Sequence, residues 1–109
     1  MIVERALMRI RDGEQERFER ALAAAREQVL KRARGFRGLS FARGVEEPDT
    51  YLVLISWETL EDHTVGFRES ELFAEWRGHI GEHFAAPPEV LHYEAVPQRG
   101  TPPAGAGAL

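Results

Sequence analysis

The chain has 109 residues, of which 43% are hydrophobic and 29% are charged, and its formal net charge is −4. This length predicts one domain, and the slightly acidic balance does not fit a nucleic-acid-binding module, which usually carries a basic stripe. Because the sequence contains no cysteine, disulfide bonds, thiolate catalysis and iron–sulfur ligation are excluded. No apolar run is long enough to cross a bilayer, and the first residues lack the pattern of a signal peptide. We therefore expect a cytoplasmic protein with no nucleic-acid or membrane partner.

The first half of the chain predicts a strand, a long helix and two further strands. Side chains alternate between two faces over residues 1–10, which is the period of a strand. Apolar residues recur every three or four positions over residues 14–34, which predicts one amphipathic helix. Residues 36–44 alternate again and predict a second strand. A turn rich in acidic residues and proline separates it from a third strand at residues 51–57.

The second half of the chain predicts two helices and a last strand. Thr59 and Asp62 have the spacing of a capping box, which opens a short helix. Ser70 has the residue type and position of an N-cap for a second helix, which runs to about Phe84. Residues 89–96 alternate between two faces and predict a fourth strand.

The order β-α-β-β-α-β predicts a ferredoxin-like α+β fold, in which both helices lie on one face of a four-stranded antiparallel sheet. The third strand is apolar on both of its faces, and Val3 and Leu7 lie on the face that the helices leave uncovered. Since water would contact that face in a monomer, we expect a homodimer through the helix-free face of the sheet. Residues 97–109 are rich in Pro, Gly and Ala and predict a flexible tail, which leaves residues 1–96 as the folded domain.

Three short motifs carry a family resemblance. The third strand ends at Trp57, the pattern Ser-x-x-Phe follows at residues 70–73, and a Pro-Pro pair at residues 87–88 leads into the last strand. With these motifs, residues 1–96 resemble the antibiotic biosynthesis monooxygenase domain family. The resemblance implies a dimeric α/β barrel with a pocket in each subunit, between the helices and the concave face of the sheet. Characterised members of that family include cofactor-free oxygenases of aromatic polyketides, quinol oxygenases and heme-degrading oxygenases.

Three residues depart from what the resemblance implies for individual branches of the family. Phe67 stands where quinol-type members often have His and heme-degrading members have Trp, and Phe cannot move a proton. Arg77 stands where the heme-degrading branch has its iron-ligating His, and Ala6 stands where that branch keeps an Asn. Because Arg does not bind iron, heme degradation is not expected, and neither is another metal or cofactor.

Two histidines are the candidate catalytic residues, and both have a structural alternative. His63 shares a helix face with Phe67 and is the candidate proton acceptor or relay, although helix packing would also explain it. His79 is a lesser candidate that also begins a five-residue zinc-protease pattern, but too little chain follows it to supply a third zinc ligand. The candidate substrate-binding side chains are Met8, Phe67, Trp76 and Arg77, although the apolar stripe around Trp76 favours core packing over pocket lining for that residue.

Two functions follow from these features. The first is a cofactor-independent monooxygenase that oxidises a small electron-rich aromatic ligand, such as a hydroquinone or a polyketide phenol, after the pocket has deprotonated it. The alternative is a non-catalytic dimeric protein that binds a small apolar ligand, which the lack of a titratable group at Phe67 favours. His92 and Tyr93 alternate on the last strand, so that one faces the pocket and the other faces the dimer interface.

Overall fold

The computed structural model describes residues 1–97, in which one antiparallel sheet is covered by helices on a single face. The strands are β1 (Ile2–Arg9), β2 (Phe36–Arg43), β3 (Thr50–Trp57) and β4 (Glu89–Glu94). The main helices are α1 (Gln15–Gln28) and α2 (Glu71–Ile80), and a π-helical segment, Asp62–Phe67, lies between β3 and α2. This order confirms the predicted ferredoxin-like fold. Apart from Pro97, the predicted tail lies outside the described residues.

The sheet has the order β2-β3-β1-β4, and each neighbouring pair of strands is antiparallel. β1 and β3 are therefore the central strands, and among residues 1–97 the one strand that β4 pairs with is β1. Side chains alternate between the two faces of each strand. The buried, helix-facing residues of the central strands are Glu4, Ala6, Met8, Tyr51, Val53, Ile55 and Trp57.

The helices cover this face through the apolar stripes that their periodicity predicted. Phe18, Leu22 and Ala25 of α1 have no exposed surface, and Ile80 of α2 is equally buried. Each large apolar side chain removed from water in this way stabilises the fold by about 1.5–3 kcal/mol. The core thus lies between the two helices and the central strands.

The first helix is shorter than predicted. We expected one helix over residues 14–34, but α1 ends at Gln28, and a 3₁₀ turn at Leu30–Arg32 follows. Val29 and Leu30 are adjacent in sequence and both are fully buried. A break in the helix at Val29, where φ is −122°, turns both side chains into the core before the chain enters β2.

Gly35 fixes the approach of β2 to the π-helical segment. Its φ is +82°, in the region that favours glycine. A Cβ atom at this position would overlap the carboxylate of Asp62, and the Gly35 carbonyl accepts a hydrogen bond from Glu58 N at 2.8 Å. The start of the π-helical segment is therefore packed directly against the backbone at Gly35.

The helix-free face of the sheet carries exposed apolar side chains. Leu52, Leu91 and Tyr93 are 37%, 51% and 50% exposed, respectively. The register aligns Arg5 between Leu54 and Leu91, and among the described residues the buried Nε of Arg5 has no hydrogen-bond partner.

Within residues 1–97, no helix combines the length and apolar character that crossing a membrane requires.

Candidate functional site

A cavity of about 250 Å³ lies between the helix-covered face of the sheet and α2. Its walls come from β1, β3, the π-helical segment, α2 and the chain that enters β4. Five of the six side chains that the sequence nominated lie in these walls: Met8, His63, Phe67, Trp76 and Arg77. The sixth, His79, is not among the lining residues, although it lies on the same helix as Trp76 and Arg77.

Local sequence positions the π-helical segment. Thr59 Oγ1 accepts a hydrogen bond from Asp62 N at 3.1 Å, and Asp62 Oδ2 accepts one from Thr59 N at 3.2 Å. This reciprocal pair is the predicted capping box. In the π-helix, Arg68 N donates to His63 O at 3.0 Å, one residue beyond the α-helical spacing. The wider turn places His63 and Phe67 on the same buried face, where both are 3% exposed.

Three titratable side chains form a continuous chain on the cavity side of the sheet. His63 Nε2 lies 3.3 Å from Glu4 Oε1, and His63 Nδ1 lies 2.8 Å from His92 Nε2. Trp57 Nε1 donates to Glu4 Oε1 at 3.0 Å, and the indole of Trp57 stacks on the His63 ring with centroids 5.3 Å apart. The register therefore places His92 on the helix-covered face, behind His63, and Tyr93 on the helix-free face.

Burial disfavours the charged forms of Glu4, His63 and His92. It lowers the pKa of His63 to about 4, an effect to which the positive charge of Arg68 and neighbouring His92 add. Burial also raises the pKa of Glu4, against the opposing effects of its hydrogen bond from Trp57 and of Arg68. The pKa of His92 is lowered as well, first by burial and then by Arg68. The contact between Glu4 and His63 is thus one between a carboxyl group and a neutral imidazole, rather than an ion pair.

Aromatic rings form the apolar part of the cavity. Phe67 meets Phe73 edge to face, with centroids 5.8 Å apart, and meets Trp76 in the same way at 6.3 Å. The ring of Phe67 also lies 5.4 Å from that of Trp57. Because such pairs hold each ring in a defined orientation, these walls present fixed aromatic surfaces to a ligand.

Two exposed arginines, Arg68 and Arg77, line the cavity. Neither forms an ion pair with another residue in the described part of the chain. Their guanidinium groups can therefore donate to an anionic group of a ligand.

The zinc-protease pattern does not form a ligand cluster. His83 is buried and its Nδ1 lies 2.9 Å from Glu14 Oε1, at the start of α1. This hydrogen bond lowers the pKa of Glu14. Within residues 1–97, no three His, Asp or Glu side chains are grouped closely enough to hold a metal ion.

Sequence reasoning overlooked Glu4 as a site residue and left the orientation of His92 open. A signal for Glu4 was present, because it is the one charged residue among the apolar positions that β1 turns toward the helices. His92 enters the site because antiparallel pairing places it opposite Glu4. That register depends on residues far apart in the sequence.

A family model and a curated relative both match most of this chain. Residues 1–79 match the family model of antibiotic biosynthesis monooxygenase. The uncharacterized protein YczJ of Bacillus subtilis (strain 168) is 35% identical over 96 residues, which cover 88% of this chain and 100% of that protein.

Solved structures share the fold. One from Bordetella bronchiseptica, assigned to the antibiotic biosynthesis monooxygenases, is 41% identical with a TM-score of 0.83, and the match covers 87% of this chain and 96% of that one. SnoaB from Streptomyces nogalater, described as a cofactor-independent oxygenase, is 16% identical with a TM-score of 0.72, and the match covers 94% and 96%. With a family match over most of its length and a 35% identical relative, this chain belongs to the antibiotic biosynthesis monooxygenase family.

Proposed function

We propose that this protein is a cofactor-independent monooxygenase that oxidises an electron-rich aromatic, such as a hydroquinone or a polyketide phenol. The observation that carries the proposal is a cavity whose walls include aromatic rings and the buried carboxyl–imidazole pair of Glu4 and His63. Family membership supports oxygenase chemistry, and SnoaB offers a cofactor-independent precedent on the same fold.

The dimensions of the cavity limit the substrate. Its volume of about 250 Å³ lies just below the usual range for ligand pockets, roughly 300–1,000 Å³. We therefore expect one or two fused rings, packed against Phe67 and Trp76, with Met8 as an adaptable apolar contact. Arg77, together with Arg68, binds an anionic substituent of the substrate where the cavity meets solvent.

The reaction begins with proton removal. The O–H bond of the phenol breaks, and its proton passes to the buried pair formed by Glu4 and His63. The phenolate then transfers one electron to O₂, which gives a phenoxyl radical and superoxide, and these combine through a new C–O bond into a peroxide. Exclusion of water by the aromatic walls keeps the phenolate poorly solvated and oriented for this transfer. His79 has no part in this scheme because it does not line the cavity.

One observation favours the alternative, a non-catalytic protein that binds a small apolar ligand. Both ring nitrogens of His63 are already within contact distance of other side chains, and its pKa of about 4 makes it a weak base. A cavity that holds a ligand without deprotonating it would have the same aromatic walls.

Oxygen uptake separates the two functions. The purified protein is incubated with benzohydroquinone, menadiol and 2-naphthol while dissolved O₂ is recorded. An oxygenase consumes O₂ faster than buffer alone with at least one compound, and His63→Ala lowers that rate by roughly 10²-fold or more. The control Arg20→Ala changes an exposed residue of α1 and should keep the rate. If a compound binds and no compound accelerates O₂ uptake, the binding-protein alternative replaces the oxygenase.

We also propose that two copies of the chain associate through the helix-free face of the sheet. Three exposed apolar residues, Leu52, Leu91 and Tyr93, support this assembly. The buried, unpartnered Nε of Arg5 lies on the same face. A second sheet would remove these apolar groups from water and could supply an acceptor for Arg5. The molar mass measured by light scattering at micromolar concentration tests the proposal.

A further inference from the structure

Both ring nitrogens of His63 face other side chains, one through a hydrogen bond and one through a close contact, rather than the open part of the cavity. Its Nδ1 is 2.8 Å from His92 Nε2 and its Nε2 is 3.3 Å from Glu4 Oε1. A general base must bring an unshared lone pair within hydrogen-bond reach of the proton that it takes. The group of this chain that contacts the substrate hydroxyl must therefore be a different one.

Glu4 has the atom that His63 lacks. Its Oε1 accepts from Trp57 Nε1 and lies beside His63, whereas its Oε2 makes no hydrogen bond with any described residue. Glu4 also lines the cavity, although its side chain is only 8% exposed. Glu4 Oε2 is thus a carboxyl oxygen that a ligand in the cavity can reach.

We infer that Glu4 is the catalytic base of the proposed oxygenase, and that His63 and His92 conduct its proton to solvent at the edge of the sheet. The inference rests on the proposed function for the substrate, but the connection between the three groups can be tested without any substrate. His92 suits the outer end of the route, because it is only partly buried and lies on β4, an edge strand.

The proton balance is complete along this route. The substrate O–H bond breaks and Glu4 gains the proton, which leaves a phenolate and a neutral carboxylic acid. The carboxyl group of Glu4 then turns about its terminal C–C bond, which brings the protonated oxygen to the place beside His63 Nε2 that Oε1 occupies. His63 Nε2 accepts this proton while His63 Nδ1–H donates to His92 Nε2, and His92 Nδ1–H gives its proton to water. Each imidazole accepts one proton and releases one, so that neither ring keeps a charge in the low-dielectric interior.

The electrostatics of the groups support these roles. Burial raises the pKa of Glu4 toward the working pH, as a general base requires. Burial holds His63 neutral, with a pKa of about 4, and a neutral imidazole both accepts and donates. Arg68 is the charged neighbour that acts on all three groups, and its positive charge lowers the pKa of each.

Nuclear magnetic resonance tests the connection in the absence of substrate. The chain has four histidines, so a protein labelled in its imidazole nitrogens gives few signals, which single variants assign. Glu4→Gln keeps the shape of the side chain and removes the titratable carboxyl group. We expect it to shift the nitrogen signals of His63 and, through His63, those of His92.

A second Glu–His pair provides the matched control. Glu14 and His83 are 2.9 Å apart and lie outside the cavity walls. Glu14→Gln should shift the signals of His83 alone, and Glu4→Gln should leave His83 unchanged. If Glu4→Gln leaves the His92 signals where they are in the wild type, the three groups are not connected and the proton route is wrong.

Kinetics test the assignment of the base, with the member of the quinol panel that gives the fastest O₂ uptake. Glu4→Gln should lower kcat by roughly 10²-fold or more. His92→Gln should lower kcat by a smaller factor with KM unchanged, and free imidazole in the buffer should restore part of the loss. Wild-type kcat in Glu4→Gln would overturn the base assignment. If Glu4→Gln shifts the His92 signals but no compound accelerates O₂ uptake, the oxygenase function is refuted and the connection between the three groups stands.

Discussion

Glu4 and His92 lie directly opposite each other on β1 and β4, and the imidazole of His63 joins the two side chains. Cross-strand partners project from the same face of a sheet, so the register alone places both groups on the cavity side. The π-helical segment then inserts His63 between them. The candidate proton route therefore depends on two strands and one helical segment that are distant in the sequence.

Acid should destabilise the fold through His63. Burial lowers its pKa to about 4 from the ordinary histidine value of 6.5. Between these values the unfolded chain binds a proton that the folded chain does not, so the free energy of unfolding falls as the pH falls from 6.5 to 4. In His63→Gln this contribution, of about 1–3 kcal/mol, should be absent from urea titrations across that range.

The contribution of His63 is the difference in the free energy of unfolding between the wild type and His63→Gln, measured at each pH. Glu4 has a raised pKa, so its own contribution is lost as the pH rises and opposes that of His63. Phe67→Leu is the matched uncharged change in the same segment and should alter the free energy of unfolding equally at every pH. A difference between wild type and His63→Gln that is constant from pH 4 to 7 would contradict the buried, neutral state of His63.

Gly35→Ala should destabilise the protein more than Gly13→Ala. Both glycines have positive φ, +82° and +80°, so both substitutions impose a backbone cost of about 1–2 kcal/mol. At Gly13 no atom lies near the new Cβ, whereas at Gly35 the Cβ overlaps the Asp62 carboxylate. Denaturant titration measures the two losses. Equal losses in the free energy of unfolding would show that the close packing of Gly35 against the π-helical segment does not contribute to stability.

Arg77→Gln should weaken the binding of an anionic aromatic more than that of a neutral one. A charged hydrogen bond contributes about 1.5–3 kcal/mol, which screening at this exposed site reduces, so we expect roughly a tenfold loss of affinity for para-hydroxybenzoate. Affinity for phenol should stay the same. Isothermal titration calorimetry measures both, with Arg20→Gln as the surface control. An equal loss for the two ligands would mean that Arg77 does not recognise charge.

Leu52→Glu should shift the protein toward monomer. Leu52 lies on the helix-free face and pairs with Leu7 of β1, so a carboxylate there would be buried between the two sheets of the proposed dimer. Val45 is 88% exposed in the turn between β2 and β3, which makes Val45→Glu the control for an added charge. Light scattering should report a lower molar mass for Leu52→Glu alone. A wild type that is monomeric at micromolar concentration would contradict the proposed interface.

Local periodicity was sufficient to predict the order of the elements and the helix-covered face. The alternation of β1 and the apolar stripes of the helices are properties of neighbouring residues, and the caps at Thr59 and Ser70 follow from residue type. The β1–β4 register is not local, so the sequence did not decide that His92 lies on the helix-covered face. The π-helical turn was missed for a related reason, because a four-residue spacing between His63 and Phe67 also fits an α-helix.

Successive residues of β1 lie alternately on the cavity face and on the helix-free face of the sheet. Glu4, Ala6 and Met8 face the cavity, while the intervening residues, such as Arg5 and Leu7, belong to the face that we propose is shared with a second copy. Inserting or deleting one residue in β1 would exchange the two sets and place Arg5 in the cavity and Glu4 between the subunits. A single-residue change in the length of β1 would therefore disrupt the cavity and the proposed interface together, whereas a substitution changes only the face on which that residue lies.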